Sequence, residues 1–126
     1  MGYCVSMYDC NFKIKKENAT KALEIIKDLV KKGEEFRWVS NKTIIEAENL
    51  KEVLEEFRYE VSENETELEI EDFLGEKLGD EFTMFKAIAP VVEDGSYIEM
   101  HGEDGDTWRW VFENGKCTEK RPKVEW

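Results

Sequence analysis

Proline occurs twice and histidine once in the 126 residues, and no Gly/Ser-rich stretch interrupts them. Without such a linker, and without any repeat of 20 to 50 residues, multidomain and solenoid organisations have nothing to rest on, so residues 1–126 are read as one domain. No apolar run reaches the roughly 18 residues a membrane-spanning helix needs. The opening MGYCVSMYDCNFKIKK is too polar for a signal peptide and lacks a small-residue cleavage site, which makes a cytoplasmic protein the expectation. Cysteine is scarce and odd in number, at three. On one extended strand Cys4 and Cys10 would lie roughly 20 Å apart, beyond the roughly 7 Å limit of a disulfide, so reduced thiols are expected. Cys117 has no histidine or aspartate neighbour to activate it and reads as a small buried hydrophobe. G-x-x-x-x-G-K-[ST], G-x-G-x-x-G and a nucleophile elbow are all missing, and no cofactor is implied.

Cations are short in one half only. Residues 1–62 hold 11 basic and 12 acidic side chains, whereas residues 63–126 hold 7 and 18, so nearly all of the net charge of −12 belongs to the second half. Between Glu60 and Asp106, 16 carboxylates face only Lys77 and Lys86. Such a field repels phosphate backbones and anionic lipid, which excludes nucleic acid and membrane surfaces as expected partners and favours a basic protein or a cation. It also serves solubility.

What is present is rich in pattern. Residues 3–14 alternate as a strand, with Val5 and Met7 on one phase and Phe12 and Ile14 on the other after the Asp9-Cys10-Asn11 interruption, which suggests a bulge. Ala22, Leu23, Ile26, Leu29 and Val30 form a helical stripe closed by Gly33. Phe36–Val39 and Thr43–Ile45 fit a strand or turn pieces equally. Asn49 with Glu52 resembles a capping pair for a second helix over Leu50 to Arg58. Glu67 to Phe73 alternates acid and apolar, a strand with one wet face. After a loop from Leu74, a third helix carries Phe82, Phe85, Ile88 and Ala89, with Asp80 as its N-cap and Pro90 at its end.

The C-terminal region reads as a three-strand meander. Pairing His101 with Thr107 across the loop 102–106 sets Met100 opposite Trp108, Ile98 opposite Trp110 and Glu99 opposite Arg109. The Asn114-Gly115 turn then sets Phe112 opposite Cys117, Trp110 opposite Glu119 and Trp108 opposite Arg121. The last strand is broken by Pro122 before Val124 and Trp126, leaving an edge through which a weak homodimer could form beside the monomer. The fold class is therefore α+β: two layers, a mainly antiparallel sheet supplied largely by the meander, and about three helices covering it.

Three sets of residues carry chemistry. Trp108 and Trp110 at period two are by default a core face. With charged Glu119 and Arg121 beside them, together with Arg109, Glu99 and His101, they also suit an aromatic platform for a planar ligand or a partner's side chain. Glu103, Asp104 and Asp106 offer oxygen ligands to a divalent metal, although the turn lacks calcium-loop spacing. His101, with Glu99 two residues away to orient it, is the one candidate general base. The segment Phe73–Cys117, with its GEKLGD, AIAP and GSYIEMxGEDGxxWRWVF blocks, and the opening GYxVxxxxxNFKIKKEN together resemble a widespread group of small bacterial and prophage-type proteins. The resemblance implies a soluble stand-alone α+β domain, often in mobile-element surroundings, and supplies no activity or catalytic residue. It does not extend over residues 34–64. The expected function is a non-enzymatic binding protein that takes a basic partner or sequesters a small planar ligand. The alternative is a small metal-assisted hydrolase using the acidic turn 103–106 and His101.

Overall fold

In the computed structural model, which describes residues 4–36, 39–75 and 80–121, six strands form one antiparallel sheet in which the strands, numbered along the chain, lie in the order second, third, first, fourth, fifth, sixth. Strand β1 (Val5–Lys15) runs into helix α1 (Lys16–Lys31), followed by α2 (Asn41–Glu46) and α3 (Leu50–Glu56). Strands β2 (Tyr59–Glu63) and β3 (Glu67–Phe73) precede α4 (Glu81–Ile88) and a 3-10 turn (Ala89–Val91). The meander β4 (Tyr97–Gly102), β5 (Thr107–Glu113) and β6 (Lys116–Lys120) closes the order.

Local chemistry accounts for most of these boundaries. Gly33 takes φ +106° at the end of α1, and the amides of Lys32, Gly33 and Glu34 bond back to Asp28, Val30 and Leu29 carbonyls, as a left-handed cap requires. The Asn49 side chain accepts the Glu52 N–H, and the Glu52 carboxylate reaches back to the Glu48 N–H, which fixes the start of α3. Asn114 and Gly115 both have positive φ, the turn a two-residue hairpin needs. The expected pairs His101–Thr107, Met100–Trp108, Glu99–Arg109, Ile98–Trp110, Phe112–Cys117 and Trp110–Glu119 are in register, and the β5–β6 ladder ends at Arg109–Lys120, one pair short of Trp108–Arg121.

The core-facing side of the sheet carries Phe12, Ile14, Leu68, Ile70, Ile98, Met100, Trp108, Trp110 and Phe112, all buried. Phe85 of α4 sits at the centre of this layer, with ring centroids 5.5 Å from Trp110, 5.8 Å from Phe12 and 5.9 Å from Phe112. Edge and tilted contacts of this kind are the favoured aromatic geometry.

Four details differ from the sequence reading. The run Thr43–Ile45 lies in helix α2, because the Ser40 hydroxyl accepts the Thr43 N–H as a cap and Ile44 is buried. Residues 59–63 form a strand the pattern did not suggest, held by Tyr59 and Val61 against β3. Asp80 stands at the N-cap of α4 without capping through its side chain. The meander supplies half of the sheet, since β1 lies between it and the β2–β3 pair. Pro122, Val124 and Trp126, and with them the expected edge beyond Arg121, lie outside the described residues, as does most of the Gly75–Asp80 loop.

Candidate functional site

The bulge foreseen in β1 determines what the other side of the sheet presents. The register steps from Met7–Met100 to Asp9–Glu99, so Tyr8 is the extra residue and both Tyr8 and Asp9 lie on the side away from the core. That same slip brings Cys10, Phe12 and Ile14 onto the core phase after Val5 and Met7. Around the bulge the outer face carries Ser6, Tyr8, Asp9 and Asn11 from β1, and Tyr97, Glu99 and His101 from β4. Arg109 of β5 and Lys120 of β6 continue it.

These side chains form one connected chain. Tyr8, 70% exposed, stacks on His101 with centroids 4.4 Å apart and planes at 13°. His101 Nε2 lies 3.0 Å from Glu99 Oε2, and Arg109 Nε donates to Glu99 Oε1 at 2.6 Å. The Arg109 guanidinium lies 4.6 Å from the Tyr97 ring centroid, and the Tyr97 hydroxyl donates to Asp9 Oδ2 at 2.8 Å. Glu99 is the hub and is 8% exposed. The hydrogen bond from Arg109 holds its carboxyl below the usual glutamate range, against the opposing effect of burial, and the bond to His101 acts in the same direction.

Next to this chain, β1 and β3 part company, since their ladder covers only Phe12 to Lys15. The charges of Asp9, Glu71 and Asp72 converge on Cys10 at the divide; its thiol is pushed up to about 12, first by burial and then by these carboxylates. Among the described residues none of the three acids has a cationic partner, in contrast to Glu69 with Lys13 and Glu63 with Lys16.

The tryptophans occupy the core rather than an open platform. Trp110 is 2% exposed and Trp108 6%. The charged neighbours had suggested an unburied end, but Glu119 accepts the Trp110 indole N–H at 3.1 Å and Arg121 lies 5.5 Å from the Trp108 ring centroid, so both serve the buried rings. Glu99, His101 and Arg109 do come together, on the opposite face. Tyr8 was missed as a site residue; its signal was the one-residue slip in apolar phase along β1.

In the acidic turn, Arg121 Nη1 meets both Asp106 carboxylate oxygens at 2.6 Å, and Asp104 Oδ1 accepts the Asp106 N–H. Among the described residues no group of three or more His, Cys, Asp and Glu side chains is placed to hold a metal ion. None of their helices is long and apolar enough to cross a membrane. A cleft of about 250 Å³ beside the outer-face chain is lined by Glu99, Thr107, Trp108, Arg109, Lys120 and Arg121. No protein-family model, curated protein or solved structure matches the chain.

Proposed function

We propose that the protein is a non-enzymatic binding module whose outer sheet face docks a basic surface of another protein. The observation that carries this reading is the set of carboxylates Asp9, Glu71 and Asp72, which have no ion-pair partner among the described residues, on the same face as the exposed Tyr8 and a Tyr97–Arg109–Glu99–His101 chain ordered by hydrogen bonds and ring contacts. Complementary charge raises the rate and selectivity of encounter, while an ordered aromatic supplies contact area at low entropic cost. Catalysis has less support: His101 is oriented by Glu99 and faces Ser6 across the β1–β4 ladder, yet among the described residues no hydrogen bond joins the Ser6 hydroxyl to the imidazole, and Asp106 is occupied by Arg121.

The test is capture of basic proteins from a bacterial lysate by the immobilised protein, compared with two triple variants of equal charge change. Asp9→Asn with Glu71→Gln and Asp72→Asn should lose the captured proteins. Glu17→Gln with Glu46→Gln and Glu55→Gln, all exposed on the helices, should keep them. Equal loss in both would reduce the effect to net charge and overturn the assignment of the face.

A second reading, sequestration of a small planar ligand, is favoured by the cleft beside Arg109 and Lys120. Native mass spectrometry of protein purified from a lysate distinguishes it: a bound small molecule lost in Arg109→Ala would support this reading over docking.

A further inference from the structure

We infer that the Tyr8–Asp9 bulge is an arginine-binding anchor within that docking face, so that the partner presents an arginine rather than a lysine there. The inference rests on the reading of the face as a dock for a basic protein and adds the chemistry of the contact. One side of the Tyr8 ring is covered by His101 at 4.4 Å, and the ring is still 70% exposed, so its other side is open. The ring is held in place from beneath. His101 is fixed by Glu99, and Glu99 by Arg109, so the stack is ordered before any partner arrives.

A planar guanidinium can lie flat on such a ring and donate from its edge to a neighbouring carboxylate, whereas an ammonium offers a point charge and cannot stack. The acceptor is adjacent. Asp9 follows Tyr8 in the chain and shares its face because of the bulge. Each Asp9 oxygen already accepts one hydrogen bond, Oδ1 from the Cys10 N–H and Oδ2 from the Tyr97 hydroxyl, both at 2.8 Å. These bonds orient the carboxylate and leave each oxygen a further lone pair. Asp9, Glu71 and Asp72 act together at Cys10, two residues along the strand from Tyr8. Of the groups on the other side, His101 and Arg109 are both bound to Glu99, which leaves these three carboxylates in excess over cations on this part of the face.

Fluorescence anisotropy with labelled nona-arginine and nona-lysine peptides at near-physiological salt tests the anchor. The wild-type protein should bind nona-arginine about three-fold or more tighter than nona-lysine. Tyr8→Ala should remove that preference and Tyr8→Phe should retain it. A wild type with no preference, or a preference unchanged in Tyr8→Ala, overturns the anchor. In that case the docking reading stands only if Asp9→Asn with Glu71→Gln and Asp72→Asn weakens both peptides, and it falls together with the anchor if the wild type binds neither peptide.

Discussion

Trp110 donates its indole N–H to Glu119 Oε1 at 3.1 Å across the β5–β6 ladder, whereas the Trp108 indole N–H is buried without an acceptor among the described residues. The two tryptophans share a face and differ in polar satisfaction. A buried donor with no partner costs stability that a satisfied one does not.

Trp110→Ala should therefore cost about 3–5 kcal/mol, the range for deleting a fully packed large side chain. Trp108→Phe should cost less than Trp110→Phe, because only the second change deletes a hydrogen bond, the one to Glu119. Urea unfolding of the three variants measures this. A loss under about 1 kcal/mol for Trp110→Ala would return the tryptophans to the surface.

Acid should act on Glu99. Its folded carboxyl titrates below the ordinary value of 4.5 because Arg109 and His101 bond to the charged form. A lowered folded value gives stability that is fully present above the unfolded value and is lost as the pH falls through the folded one. Urea midpoints measured from about pH 6 down to about pH 3 should fall for the wild type and fall less steeply for Glu99→Gln. Parallel curves would show that Glu99 is not held by these partners.

Two of the thiols should resist labelling. Burial pushes the thiols of both Cys10 and Cys117 up to about 12, so neither supplies much thiolate at neutral pH. With a thiol reagent at pH 8, no more than one cysteine per chain should react rapidly in the native protein, and three after unfolding. Rapid modification of Cys117 in the native state would contradict the packing of β6.

Divalent metal should leave the native state unchanged. Asp106 is paired with Arg121 and the acidic side chains of the turn do not converge on one point. Millimolar Ca²⁺ or Mn²⁺ should not raise the melting temperature, since only a ligand that prefers the native state does so. A rise abolished by Asp104→Asn with Asp106→Asn would revive the metal-assisted alternative.

Legibility in the sequence followed the strength of local signals. The meander register could be read because Asn114-Gly115 and the 102–106 loop leave little freedom between alternating strands. Strand β2 was hidden, since only Tyr59 and Val61 mark its buried side and Glu60, Ser62 and Glu63 look like any solvated segment. The short helix α2 was hidden by its β-branched Thr43-Ile44-Ile45 run, which a side-chain cap and one buried isoleucine override. At the site, the Glu99, His101 and Arg109 grouping was visible from cross-strand pairing. Tyr8 was not, because a bulge is one residue of phase, and phase alone does not say which residue is extra.

The measurement that bears most directly on the docking face is a ¹H–¹⁵N titration of the protein with nona-arginine. It sets the outer sheet face against another acidic surface, the hollow between α2 and α3 lined by Glu46, Glu52, Glu55 and Glu56. Amide shifts concentrated at Tyr8, Asp9, Glu71, Asp72 and His101 are the predicted result. Shifts concentrated at Glu46, Glu52, Glu55 and Glu56 with the sheet face silent, or no saturable shifts at all, would contradict the account.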